Sequence, residues 1–277
     1  MRASAILRNT SHRPWPLPRQ PWLMRQTWDE LLFAHWPVPA MALAERLPPG
    51  LTLDTWEGRA WLGIVPFRMR GVRLRAAPTI PGCAAFPELN LRTYVTAQDK
   101  PGVWFLSLDA GSPLAVAAAR ATYSLPYYTA HMRCCARDGA ITYDSRRYAH
   151  RGAAPASFSA RYWPVGDLFT ARPGTLDHFL TERYCLYTAG RRDQLLRADI
   201  THAPWRLQAA AAEIAANTIA AAAGITLSET APPLLHYAAH QEALAWAPRR
   251  VRPERAHNVT KRPSVARKGI QDRGLSL

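Results

Sequence analysis

Short apolar runs and alternating segments recur between residues 26 and 248 and predict a chain built mainly from strands. The clearest is Leu31–Trp36, an apolar run closed by Pro37 and typical of a buried strand. The turn Arg137-Asp138-Gly139-Ala140 predicts a hairpin. Other extended segments are predicted at 59–69, 84–96, 103–109, 127–136, 141–148, 157–163, 183–187, 195–202 and 234–246.

Three segments have the spacing of helices instead. Residues 40–47 place apolar side chains at helical intervals and stop at Pro48. Ser112 and Pro113 open a helix over 114–123, because serine caps a helix and proline suits its first position. The Ala-rich segment 207–223 predicts the longest helix. Many strands with three inserted helices indicate a mainly β (α+β) protein, a mostly antiparallel barrel or sandwich.

The net charge of +15 is concentrated at the two ends of the 277-residue chain. Residues 1–25 hold five arginines and no acidic residue, and residues 249–277 hold nine basic residues against two acidic ones. Such segments predict disorder, so we expect one domain over 26–248 between two disordered basic tails. Basic tails bind polyanions weakly, which leaves nucleic-acid association as an alternative function, although no folded nucleic-acid module is evident.

Several other classes of protein find no support in the sequence. No segment has the roughly 18 uninterrupted apolar residues of a membrane span, and a signal-peptide core is lacking, so we expect a cytoplasmic protein without a membrane partner. There is no C-x-x-C pair and no Gly-rich phosphate loop. His236 and His240 have ligand spacing but no third ligand nearby. We therefore expect neither metal nor cofactor, while the oligomeric state stays open, a homo-oligomer included.

Three stretches resemble a known family. FAHWPVPAMALAERLPPGLTLDTWEGRAWLGIVPFRMRGVR, FPELNLRTYV and FLTERYCLY are similar to the YqjF-like family, a domain of unknown function, and the resemblance spans residues 28–251. That family looks like a distant relative of acetoacetate decarboxylase. The relationship implies an antiparallel β-barrel or double sheet that encloses a small-molecule pocket.

The weaker resemblance to the decarboxylases implies which residues line that pocket. Glu88 falls where those enzymes carry an active-site glutamate, and Arg120 falls on their arginine. Tyr127 and Tyr128 fall on their two lysines, the first of which forms an imine with the ketone. A phenol cannot form an imine, and the chain has three lysines, Lys100, Lys261 and Lys268. We therefore expect no Schiff-base chemistry.

The same residue types suggest what such a pocket does instead. Glu88 and a tyrosine can support lyase- or isomerase-like proton transfer next to a carbonyl, and Arg120 can bind a ligand carboxylate. One of Tyr127 and Tyr128 should line the pocket, since neighbouring strand residues point to opposite faces. Secondary candidates for the site, from the YqjF-like stretches, are His35, Asn90, Arg92, Glu182, Arg183, Tyr184 and His202.

Each candidate also has a structural interpretation. Glu88 can satisfy backbone donors, Arg120 can pair with a nearby acid, and His35 can be a core histidine. The sequence therefore leaves two classes open for a small carbonyl, carboxylate or aromatic ligand: an enzyme, or a protein that binds and sequesters the ligand.

Overall fold

The computed structural model describes residues 3–77, 84–149, 152–190, 194–228 and 231–251. Most of these residues lie in strands, which confirms the mainly β prediction. The first seven strands are β1 (Met24–Val38), β2 (Thr52–Leu53), β3 (Ala60–Leu74), β4 (Ala85–Ala97), β5 (Lys100–Ala110), β6 (Tyr127–Thr129) and β7 (His131–Arg137). The others are β8 (Ala140–Arg147), β9 (Ala156–Phe169), β10 (Cys185–Ala189), β11 (Leu195–His202), β12 (Leu207–Asn217), β13 (Leu234–Ala245) and β14 (Arg249–Arg250).

The helices are short. They are α1 (Ala3–Arg8), α2 (Ala40–Ala44), α3 (Pro113–Tyr123), α4 (Leu176–Thr181) and α5 (Ile219–Ala222). α3 begins as expected, with the Ser112 side chain accepting a hydrogen bond from the Ala115 amide and proline at the first helical position. None of the helices in the described residues has the length and apolar character needed to cross a membrane.

The fourteen strands belong to one mixed sheet, in which twelve follow the order β14-β11-β10-β5-β4-β3-β1-β13-β12-β9-β8-β7, while β2 pairs with β4 and β6 pairs with β5. Most pairs are antiparallel, whereas β5 pairs in parallel with both β10 and β6. A further antiparallel ladder joins β11 to β13 through residues 200–202 and 243–245. Seven strands therefore form a continuous circuit of pairings, namely β1, β3, β4, β5, β10, β11 and β13.

The sheet separates two apolar clusters, and β1 shows how. Leu31 and Phe33 belong to one cluster with α3 and α4, while Leu32 and Ala34 belong to the other with β8 and β9. A bulge at Glu30, whose φ is 55°, shifts the register between β1 and β3. One extra residue reverses the alternation of side chains. Consequently both Trp28 and Leu31 face the interior of the circuit.

The predicted helix over 207–223 is wrong. Residues Leu207–Asn217 form β12, and only Ile219–Ala222 are helical. The high helix propensity of alanine is outweighed here because β12 forms backbone ladders with β9 and, at its start, with β13.

The N-terminal segment also differs from the expected disordered tail. Residues 3–23 pack on the sheet: Ile6 is buried against Leu244 and Trp246. The Arg13 side chain donates a hydrogen bond to the backbone carbonyl of Ile200. Buried contacts of a few isolated side chains hold this segment, and such contacts leave no periodic pattern in a sequence. Of the predicted C-terminal tail, 249–277, the first residues form β14, which pairs with β11, and residues from 252 onward lie outside the described residues.

Candidate functional site

A cavity of about 110 Å³ lies inside the seven-strand circuit. Each of the seven strands contributes at least one side chain, and α3 and α4 close the remaining sides. The lining is mainly apolar, from residues such as Val65, Phe67, Phe105, Leu108 and Ile200. Its polar members are few, and three of them lie on β4: Glu88, Asn90 and Arg92, together with Gln26, Tyr123, Tyr127, Thr181, Arg183 and His202.

Glu88 is the acidic residue of this cavity. Its side chain is 2% exposed, and its Oε1 accepts a hydrogen bond of 3.0 Å from the Tyr127 hydroxyl. Among the described residues, the second oxygen, Oε2, has no hydrogen-bond partner and is buried. Burial raises the pKa of Glu88 to about 8, although the bond from Tyr127 opposes the shift. The carboxyl group is therefore largely protonated at neutral pH.

Tyr127 and Tyr128 point to opposite sides of the short strand β6. Tyr127 lines the cavity, and burial raises its pKa well above the ordinary value of a phenol. Tyr128 does not line it: its ring lies 4.8 Å from the Arg147 guanidinium carbon and 5.5 Å from that of Arg120. Strand alternation after the α3–Pro126 turn fixes this difference.

Arg120 fixes the backbone of β6 and does not line the cavity. Its Nε donates a 2.7 Å hydrogen bond to the Tyr127 carbonyl, which ties the end of α3 to the strand. The guanidinium faces Tyr128, on the far side of the strand from Glu88. Arg120 lines neither cavity, and the carboxylate-binding role expected for it stays a prediction.

Two arginines, Arg92 and Arg183, line the cavity. The Arg92 guanidinium lies over the Phe33 and Tyr94 rings, and one nitrogen donates a weak bond of 3.4 Å to the Leu180 carbonyl. Within the described ranges no carboxylate lies within ion-pair distance of Arg92, and its Nε is buried without a partner. Arg183 differs, because it is paired with Asp54 at 2.6 Å.

Aromatic rings form another part of the cavity wall. His202 packs between Trp205, at 5.2 Å, and the Tyr184 ring, at 4.8 Å, and Trp28 stacks on Trp205. His202 is buried, which lowers its pKa. Tyr184 lies behind His202, outside the cavity lining, and its hydroxyl donates to Glu182. Tyr184 therefore supports the wall rather than facing the interior.

Of Asn90 and His35, the first lines the cavity and the second does not. Asn90 lines the cavity, and its Oδ1 is buried with no partner among the residues described. His35 does not line it. Its Nε2 is 2.6 Å from the Tyr94 hydroxyl, and burial and the nearby Arg92 hold its pKa well below the ordinary value. His35 is thus a neutral core histidine.

A second cavity of about 170 Å³ lies beneath α3. It shares seven lining residues with the first cavity: Met24, Gln26, Met69, Glu88, Ala119, Tyr123 and Tyr127. The rest of its wall is largely apolar, including Leu23, Val72, Phe86 and Ala115. The two cavities therefore meet at the Glu88–Tyr127 pair.

Sequence reasoning missed several lining residues. Trp28, Trp205 and Tyr123 carry no motif that distinguishes them from core aromatics, and Gln26 lies at the first position of the expected domain, outside any motif. Arg183, a secondary candidate from the FLTERYCLY stretch, does line the cavity, whereas its neighbour Glu182 does not. Like Glu88 and Asn90, Tyr123 and Trp205 have a buried polar atom without a partner in the part of the chain that the structure describes.

The site offers little to a metal or to imine chemistry. No group of three His, Cys, Asp or Glu side chains in the described ranges could hold a metal ion. Lys100, at the start of β5, lies near the Trp15 ring and does not line either cavity. Lys261 and Lys268 lie outside the described residues.

Solved structures with a similar fold include two enzymes. The enduracididine biosynthesis enzyme MppR complexed with pyruvate has a TM-score of 0.58 and 11% identity, over 86% of this chain and 93% of its own. Acetoacetate decarboxylase from Legionella pneumophila has a TM-score of 0.56 and 13% identity, over 88% of this chain and 94% of its own. The chain therefore has an acetoacetate decarboxylase-like fold.

Sequence comparison defines the family more narrowly. Residues 25–242 match the model of DUF2071, described as an uncharacterized conserved protein. The uncharacterized protein YqjF of Bacillus subtilis (strain 168) is 51% identical over 225 residues, which cover 81% of this chain and 91% of YqjF. The chain belongs to the DUF2071 family.

Proposed function

We propose that the protein binds a small compound with a carbonyl or carboxylate group in the 110 Å³ cavity and transfers a proton next to that group without forming an imine. The observation that carries this proposal is the state of Glu88. One of its oxygens is held by Tyr127, and the other is buried with no partner in the described residues, at a carboxyl group whose pKa is raised to about 8. Such an acid can both give and accept a proton near neutral pH.

The charges of the cavity support a ligand that carries a negative group. Arg183 is neutralised by Asp54, and Glu88 is largely protonated at neutral pH, so Arg92 adds a positive charge that no described carboxylate offsets. A guanidinium binds a carboxylate with two parallel hydrogen bonds. Arg92 thus takes the role that the sequence suggested for Arg120. MppR, whose fold is similar, is described as complexed with pyruvate.

Proton transfer then follows from the position of Glu88. With the ligand carboxylate at Arg92, Glu88 in its ionised form removes a proton from the carbon beside the carbonyl, and the electron pair moves onto the carbonyl oxygen. Returning the proton to carbon restores the ligand. Tyr127 holds Oε1, so that Oε2 is the oxygen that carries the proton.

The test is hydrogen–deuterium exchange at the methyl group of pyruvate in D₂O, followed by NMR. We expect protein-catalysed exchange that increases with pH up to about 8, where Glu88 becomes ionised. The variants Glu88→Gln and Tyr127→Phe should reduce it, whereas Tyr128→Phe, outside the cavity, is the matched control. Equal exchange in the wild type and Glu88→Gln contradicts the proposal, and so does a lysine adduct after borohydride treatment.

The second candidate function is binding without turnover. It is favoured by the same unpartnered carboxyl oxygen, since a protonated acid can donate a hydrogen bond that orients a ligand without reacting. Thermal stabilisation by pyruvate with no methyl exchange would support this alternative.

A further inference from the structure

The cavity beneath α3 adds a feature that the proposed function does not use. It is larger than the first cavity, at about 170 Å³ against 110 Å³, and it meets the first at the Glu88–Tyr127 pair. A ligand filling only the first cavity would leave the larger space empty. The chemistry of the two walls decides what the second space accepts.

The two walls differ in polarity. The first cavity has Arg92, Asn90 and His202, whereas α3 gives the second Ala115, Ala118, Ala119 and Thr122. On the facing sheet it has Leu23, Val72, Leu74 and Phe86. Its charged members in the described residues are Glu88, at the boundary, and Arg73, which is exposed. A mainly apolar wall favours hydrocarbon, because apolar groups gain free energy when they leave water.

We infer that the ligand is an amphiphilic carboxylate, an inference that rests on the proposed function. Its carboxylate lies at Arg92, its carbonyl carbon lies beside Glu88, and its alkyl or aryl tail extends past Tyr127 into the cavity beneath α3. The substrate class is therefore a 2- or 3-oxo carboxylic acid with an apolar tail, rather than a compound of pyruvate size. The position of Glu88 on the shared wall places the proton-transferring group between head and tail.

The experiment measures the affinity of straight-chain carboxylates, from butanoate through hexanoate and octanoate to decanoate, by calorimetry. Burial of one methylene group contributes about 0.8 kcal/mol, which corresponds to about a fourfold gain in affinity for each added carbon. We expect that increase until the tail fills the second cavity. Equal affinity for butanoate and octanoate overturns the inference.

Matched substitutions on α3 separate tail binding from nonspecific hydrophobic association. Ala115 lines the second cavity, whereas Ala117 is exposed and lines neither. Ala115→Phe should bring the octanoate-to-butanoate affinity ratio close to one, and Ala117→Phe should leave that ratio as in the wild type. An unchanged ratio in Ala115→Phe overturns the inference.

Failure of the inference and failure of the proposed function give different results. If butanoate binds and lengthening the chain brings no gain, the two-part site is wrong and the proposed function stands. If binding of every chain length is lost at Arg92→Gln, the head group is where we place it. If no carboxylate of any length binds and pyruvate shows no methyl exchange, the proposed function is wrong and the inference falls with it.

Discussion

Replacing Glu88 by glutamine should change the pH dependence of folding stability. The glutamate pKa is 4.5 in its ordinary state and about 8 in the folded protein, where burial penalises the ionised form. Between these values the unfolded chain has lost the proton that the folded chain keeps. Stability supplied by this group is therefore complete at low pH and is lost as pH rises from about 4.5 towards 8.

The size of the effect follows from the shift. One pKa unit corresponds to about 1.4 kcal/mol, so the folded protein loses about 5 kcal/mol through this group across the interval. Glu88 is 2% exposed, so solvent screening reduces this value little. Glutamine has a similar shape and no titratable proton, and Glu88→Gln should become more stable than the wild type by an amount that grows with pH.

The assay is urea unfolding of both proteins at intervals between about pH 5 and pH 9, with the free energy extrapolated to water. Other groups with shifted pKa values, such as Asp109 and His202, are present in both proteins and cancel in the difference. Near pH 5 the two proteins should differ little. A difference that stays constant to within about 1 kcal/mol from pH 5 to pH 8 would show that Glu88 ionises freely in the folded state and would refute the reasoning.

Three further predictions concern packing and caps and use denaturant unfolding at neutral pH. Arg147→Met should destabilise the fold by about 3–5 kcal/mol, because it leaves Asp109 buried without the cation that lies 2.8 Å away; a loss below about 1 kcal/mol would contradict this. Gly102→Ala should lower the free energy of unfolding by about 1–3 kcal/mol, since its Cβ would lie 2.7 Å from the Cys185 sulfur. Stability equal to that of the wild type would show that β5 and β10 move apart to admit the methyl group. Ser112→Ala should cost about 1 kcal/mol through the lost cap of α3, and an unchanged midpoint would argue against that cap.

Strands could be predicted from the sequence where the apolar and polar residues of the strand itself form a recognisable pattern. The extended segment predicted at 195–202 coincides with β11, Leu195–His202, because its apolar residues alternate or run together. The helix predicted over residues 207–223 was wrong because the deciding contacts come from strands distant in sequence. Alanine fits a helix or a half-exposed strand equally well in size, and the neighbouring strand β9, distant in sequence, decides between them.

The candidate site was likewise predictable only in part. Glu88, Tyr127, Asn90, Arg92 and His202 line the cavity, as does a set of aromatic residues that the sequence did not suggest. Side chains alternate between the two faces of a strand, so the direction of each depends on its position along the strand. A bulge adds one residue and exchanges the faces of the residues that follow it. The bulge at Glu30 in β1 has no recognisable sequence motif, so the inward direction of both Trp28 and Leu31 could not be predicted.

The pairing of β1 with β13 has a consequence for synthesis on the ribosome. Residues 24–35 pair with residues 234–245, so β13 emerges from the ribosome long after β1. Until β13 has been made, β1 presents one unpaired edge, with Leu32, Phe33 and Ala34, to other nascent chains. Such an edge is a site of misassociation, and a chaperone that holds the chain until release would raise the yield of folded protein.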